Sequence, residues 1–186
     1  MEPILIEFPD YVETERLLIR APKLDDWKEL HEAVRASKAE LEPWLPFARN
    51  DESEEERKAN TKEAYVNFIA RKDLRFHVYS KETGKFIAST GLHRIDWKAR
   101  KFEIGYWVDS RQSGKGYVTE VVHGLTRFAF EQLEANRVEI RCDSKNTKSR
   151  AVAERAGFDL EGILRNDEID HKGSLRDTCI FSKIKL

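Results

Sequence analysis

The sequence predicts one α/β (α+β) domain: a mixed, mostly antiparallel sheet of about seven strands flanked by about four helices. Three observations predict it. Between Phe76 and Val108, three strand-like runs follow one another through short connections, as in an antiparallel meander. From Tyr117 onward the pattern changes to a long amphipathic helix and then to strand–helix–strand. The 186 residues are 40% hydrophobic and 36% charged, enough to bury one substantial core under a well-solvated surface. No repeat, low-complexity tract or linker divides the chain, so residues 1–186 read as a single domain.

The elements follow in order. Leu17 to Arg20 is a short strand stopped by Pro22. A helix starts at Asp25 and runs to about Ala39, with Trp27, Leu30, His31 and Val34 at helical spacing. Glu42 to Phe47 is broken by two prolines and presents aromatic rings from irregular backbone. Ser53 and Glu56 form a capping box, so the acidic run Asp51–Glu56 marks a helix start. The same run would attract a cationic acceptor if it bordered the acceptor cleft. That second helix reaches about Arg71, with Ala64, Phe68 and Ile69 inward. Phe76 to Tyr79 and Phe86 to Leu92 pair across a Thr83-Gly84-Lys85 turn, and Phe102 to Val108 follows. Val118, Val121, Val122, Leu125, Ala129 and Leu133 share one face of the Tyr117–Leu133 helix. Arg137 to Cys142, Phe158 to Leu164 and Leu175 to Ile184 are strands, with a short helix from Thr147 to Ala156.

Composition excludes several classes. The formal net charge of −1, from 33 basic and 34 acidic residues, gives no global field for nucleic acid or an anionic membrane. No apolar run approaches the ~18–20 residues of a membrane span, and the N-terminus has no basic-then-apolar leader. Cys142 and Cys179 make neither a C-x-x-C nor a zinc spacing; both are expected to pack as reduced thiols in the cytoplasm. The histidines do not cluster with acids or cysteines at ligand spacing, so no metal is expected.

The chemical signal is Arg111-Gln112-Ser113-Gly114-Lys115-Gly116-Tyr117, a glycine turn between a strand and a helix. Glycines let the backbone approach a ligand and reach positive φ. The unpaired N–H groups of the helix start, and its dipole, favour an anion such as a phosphate. The turn lacks the G-x-x-x-x-G-K-[ST] and G-x-G-x-x-G patterns, which disfavours a nucleotide-binding protein.

Four pieces recur in order: Glu103-Ile104-Gly105-Tyr106-Trp107-Val108, the glycine turn, Asn146-Thr147-Lys148-Ser149, and Ala156-Gly157-Phe158. With them the chain resembles the GNAT N-acetyltransferase superfamily. Thr14-Glu15-Arg16-Leu17 and Trp44-Leu45-Pro46 make it similar to the branch of RimJ/RimL ribosomal-protein N-terminal acetyltransferases. The resemblance implies a GNAT fold with splayed parallel strands near 103–108 and 138–142. It implies acetyl-CoA as co-substrate and an amine as acceptor, either a protein N-terminus or a small amine. Arg111, Gln112, Ser113, Gly114, Lys115, Gly116 and Tyr117 would hold the coenzyme A pyrophosphate. The backbone at Trp107 and Val108 would take the pantetheine arm from one side, and Asn146 from the other. Ser149 would bind the coenzyme near its thioester sulfur and protonate the departing thiolate. Trp44, Phe47 and Tyr106 would line the substrate side.

An ammonium cannot attack a thioester, so a base must take its proton. Glu103 is the first candidate and His93 the second, imidazole being suited to proton transfer near neutrality. Strand alternation puts Glu103, Gly105 and Trp107 on one face and Ile104, Tyr106 and Val108 on the other, without saying which face is which. The competing class is a non-catalytic acyl-CoA-binding module. The aromatic residues before residue 50 would also suit a homodimer interface.

Overall fold

The computed structural model describes residues 2–185. Its core is an eight-stranded sheet in the order β1-β2-β3-β4-β5-β6-β8-β7. The strands are β1 (Tyr11–Glu13), β2 (Leu17–Arg20), β3 (Leu74–Ser80), β4 (Phe86–Asp96), β5 (Lys101–Val108), β6 (Arg137–Asp143), β7 (Asp159–Ile169) and β8 (Leu175–Ile184). The helices are α1 (Trp27–Ala36), α2 (Lys38–Leu41), α3 (Glu54–Ile69), α4 (Tyr117–Gln132) and α5 (Thr147–Arg155). Every neighbouring pair is antiparallel except β5 and β6, which are parallel.

The sheet has eight strands where seven were expected, because three-residue β1 is too short to show a period. There are five helices where four were expected. The predicted 25–39 helix is a 3-10 turn, α1 and α2, broken at Ser37, whose hydroxyl accepts from Ser110 N at 2.8 Å. Ser53 caps α3 as predicted: its Oγ accepts from Glu56 N while the Glu56 carboxylate accepts from Ser53 N. Ile69 points outward, 50% exposed, a correction to the inward face read from spacing. Ala64 and Phe68 are buried, and Phe68 closes on Phe76 near the start of β3. β7 runs five residues past its predicted end.

The two faces of the sheet are built differently. One carries Phe76, Val78, Leu92, Phe102 and Ile104 and is covered by Val121, Val122, Leu125, Phe128 and Ala129 of α4. Gly124 lets α4 lie close, because a Cβ there would stand 2.8 Å from Thr14. The other face lies under α1 and α3 and combines a small apolar cluster, Leu30, Ala33, Tyr79 and Phe86 with Trp107 against it, with buried polar groups. There Asp26 takes a bidentate pair from Arg20 and a 2.6 Å bond from His77 Nδ1, and Arg75 donates to Asn60. Among the described residues no helix is long and apolar enough to cross a membrane.

Candidate active site

β5 and β6 pair only at Lys101–Arg137, Phe102–Val138 and Glu103–Glu139. Beyond Glu103 the far edge of β5 has no partner strand, while its near edge stays paired with β4 through Val108. The sheet therefore parts beside Ile104–Val108. Free main-chain groups line one side of the gap, as a bound amide-bearing arm requires.

The glycine turn lies at one end of that gap. Gly114 and Gly116 have φ of +79° and +78°, a region other residues rarely adopt. Gly116 caps α4 in this conformation, and the N–H groups of Gly114, Lys115 and Gly116 donate to no described residue. Residues Ser113–Gly116 are exposed. The turn thus fits a phosphate: three unspent donors and a helix start, with no Cβ in the way. Its side chains behave otherwise. Arg111 is clamped by Asp109, at 2.6 Å from Nη2, and by Glu32, at 2.7 Å from Nη1; these partners push its pKa upward. Lys115 Nζ donates to Gln112 Oε1. Both cations, at the surface, are paired with groups of the protein itself, as are the acids of the 51–56 run that pair with Lys38 and Arg57 or cap α3.

Across the gap, Asn146 caps α5, its Oδ1 accepting from Ser149 N at 3.1 Å. The cap leaves its amide Nδ2 without a bond to a described residue, so one side chain can cap and still offer a donor. Ser149 Oγ lies 2.9 Å from the Tyr106 hydroxyl, which also donates to the Ser149 carbonyl at 3.1 Å. Burial raises the Tyr106 pKa, against the Ser149 hydrogen bond. Cys142 lies beside this pair, and burial pushes its thiol up to about 11. A thiol that stays protonated is a poor nucleophile. Cys142 and Cys179 stand directly opposite each other on β6 and β8, both as free thiols.

Glu103, Gly105 and Trp107 face the other way, toward α1 and α3. Trp107 packs on Phe86 and on Phe47, at 6.0 Å between ring centroids. Phe47 is thus a wall of this side, whereas Trp44 is half-buried in its own segment and makes no ring contact there. Glu103 is the last residue paired with β6, and its side chain is 15% exposed. Arg94 Nη1 stands 3.3 Å from Glu103 Oε2 but off the hydrogen-bonding direction, so that buried oxygen has no donor among the described residues. Burial raises the Glu103 pKa, against the pull of Arg94, Arg141 and His93. A bulge between His93 and Asp96 turns Arg94, at φ +44°, back toward it.

His93 is opposite Glu103 in the β4–β5 register. Its Nδ1 meets Asp73 Oδ2 at 2.6 Å. Gly91 and Gly105, also cross-strand partners, leave room for its ring: a Cβ on Gly91 would stand 2.7 Å from His93 Cε1, and one on Gly105 2.8 Å from Cδ2. Asp73 and Gly91 escaped the sequence reading. A glycine pair set in register within two strands is a signal for close approach, but only knowledge of the pairing shows it. No group of His, Cys, Asp or Glu side chains among the described residues could hold a metal ion.

The site is thus a slot through a sheet, with hydroxyl donors on one face and a carboxylate and an imidazole on the other. Residues 16–159 match the family model for the acetyltransferase (GNAT) domain. YdaF of Bacillus subtilis, provisionally named a ribosomal N-acetyltransferase, is 35% identical over 175 residues, covering 92% of each chain. The ribosomal-protein-serine acetyltransferase of Escherichia coli is 28% identical over 155 residues, 83% of this chain and 86% of that one. Among solved structures, a RimL ribosomal L7/L12 α-N-protein acetyltransferase in complex with coenzyme A superposes with a TM-score of 0.87. It is 22% identical and covers 94% of this chain and 97% of its own. The microcin C7 self-immunity acetyltransferase MccE, in complex with acetyl-CoA and AMP, also gives 0.87, at 24% identity with 97% and 99% covered. The chain belongs to the GNAT acetyltransferase family.

Proposed function

We propose that the protein transfers the acetyl group of acetyl-CoA to the N-terminal α-amine of a protein, of the ribosomal-protein type, in the cytoplasm. The observation that carries the reading is the division of labour across the sheet gap. The thioester supplies an activated acetyl carbonyl. The glycine turn would hold the phosphates on its free amides, and the open edge of β5 together with Asn146 would hold the pantetheine amides. With the arm held so, the acetyl group would lie in the gap beside Tyr106 and Gly105. The Ser149–Tyr106 hydroxyl pair lies on the coenzyme face, where it can give a proton to the sulfur as the C–S bond breaks. Glu103 lies on the acceptor face with an unfilled lone pair on Oε2 and a raised pKa, suited to take the ammonium proton before the nitrogen attacks. The His93–Asp73 pair is the second acceptor of that proton. No covalent enzyme intermediate is required, since aligned amine and thioester react directly.

The ribosomal-protein acceptor is supported by the relatives YdaF and the E. coli ribosomal-protein-serine acetyltransferase. A small-molecule amine is the second reading of the acceptor. The test is thiol release from acetyl-CoA over a panel of N-terminal ribosomal-protein peptides and small amines. Release confined to peptides with a free α-amine supports the proposal. Release only with small amines moves the acceptor to the second reading. Acetyl-CoA binding with no release on any acceptor would leave a binding module.

A further inference from the structure

The two cations written into the glycine turn are spent within the protein: Arg111 on Asp109 and Glu32, Lys115 on Gln112. The guanidinium that reaches the turn comes instead from the β1–β2 connection. Arg16 Nε donates to Glu120 Oε2 at 2.6 Å, and its Nη1 donates to the Lys115 carbonyl at 3.0 Å. The guanidinium lies over the Tyr117 ring, 4.6 Å from the centroid. The other Glu120 oxygen accepts from Thr14 Oγ1 at 2.6 Å and from Arg16 N at 2.9 Å. Burial raises the Glu120 pKa, but these hydrogen bonds outweigh it and hold the carboxylate below its usual range. Two of the three guanidinium nitrogens are thus fixed. Nη2 makes no hydrogen bond to a described residue, and it stands 3.6 Å from where a Cβ on Gly116 would be.

We propose that Arg16 belongs to the phosphate site: it holds the glycine turn with Nε and Nη1 and offers Nη2 to a phosphate oxygen of coenzyme A. The inference rests on the acetyl-CoA reading above. Electrostatics makes the residue necessary. Glu120 occupies the first turn of α4, where the helix dipole favours an anion, and its carboxylate would oppose a phosphate at the same helix start. Arg16 neutralises that carboxylate and leaves a planar, pre-positioned donor edge beside the turn, the geometry a phosphate takes from arginine.

The test is titration of the full-length protein with coenzyme A, 3′-dephospho-coenzyme A and pantetheine, for wild type, Arg16→Gln and Arg16→Lys. Arg16→Gln should weaken coenzyme A by about tenfold or more, the scale of a hydrogen bond to a charged group, and leave pantetheine unchanged. Arg16→Lys should fall between, since it keeps the charge and loses the fork. An equal loss with the 3′-dephospho compound assigns the contact to the pyrophosphate; a loss spared there assigns it to the 3′-phosphate. Unchanged coenzyme A affinity in Arg16→Gln overturns the proposal. So does a loss equal for pantetheine, which has no phosphate and would report only a loosened fold. If Arg16→Gln does not fold, Arg16→Lys carries the same comparison. A wild-type protein that binds no coenzyme A would overturn the acetyl-CoA reading itself, whereas binding indifferent to Arg16 removes only this residue.

Discussion

At the scale of single residues, the site sets proton donors and acceptors apart by environment. Glu103 has its pKa raised in the fold, so between its unfolded and folded values the folded state binds the proton and the unfolded chain does not. Its ionisation therefore costs stability as pH rises through that window. Glu103→Gln should raise the melting temperature at pH 7, with the gain shrinking toward pH 4. It should also slow turnover at least about tenfold, in the range of general-base catalysis. Thermal melts and turnover on the same samples check both, and an unchanged rate would move the base to His93. On the other face, Ser149→Ala and Tyr106→Phe each remove one hydroxyl of a hydrogen-bonded pair. If the pair acts as one acid, the double variant should be little slower than the worse single one, and coenzyme A affinity should hold. Additive losses in steady-state kinetics would separate the two roles.

At the scale of elements, the conformational demands are local and explain why glycine stands where it does. Nothing lies within 4 Å of a Cβ built on Gly114, so Gly114→Val would act through its φ of +79° rather than through crowding. A non-glycine residue there costs roughly 1–2 kcal/mol of strain. The expected result is weakened coenzyme A binding with a small loss of melting temperature, read by calorimetry. Gly105 is the opposite case. Its φ is unremarkable, but a Cβ would stand 2.8 Å from His93. Gly105→Ala should displace the imidazole from Asp73 and lower turnover more than coenzyme A affinity. Asn146 acts through its side chain instead: its cap contributes about 1 kcal/mol to α5, and its Nδ2 makes no bond to a described residue.

At the scale of the whole molecule, the buried Arg20–Asp26–His77 network under α1 and α3 governs acid stability. Burial lowers the His77 pKa, so His77 stays neutral, its Nδ1–H donating to Asp26. Burial raises the Asp26 pKa, but bonds from Arg20 and His77 outweigh it and leave the carboxylate well below its usual range. Both signs agree. As pH falls below about 6.5, the unfolded chain protonates histidine and the folded one does not. As it falls through the carboxylate range, the Asp26 contribution is lost as well. The melting temperature should decline from pH 7 to pH 5 and then more steeply. His77→Gln should flatten the first segment, and melts across pH check it.

Much of the molecule was legible in the sequence because its signals are short-range. The Ser53–Glu56 box, the φ-positive glycines of the turn and the amphipathic run of α4 each depend on residues within a few positions of one another. Their physics, of capping, backbone sterics and helical period, does not change with the fold. Long-range pairing decided the rest. β8 inserts between β6 and β7 and sets Cys142 opposite Cys179, thiols that look remote along the chain. The end of the parallel ladder at Glu103 fixes where the sheet opens, and the register fixes which face Glu103 presents, a choice that alternation leaves two-fold. Arg16 reaches the turn through a contact ninety-nine residues long, while the turn's own Arg111 turns away to Asp109 and Glu32. The sequence determined most of the elements and the glycine turn. The tertiary structure decided which charges stand beside that turn and which groups face each side of the gap, because these depend on strand order and packing between distant segments.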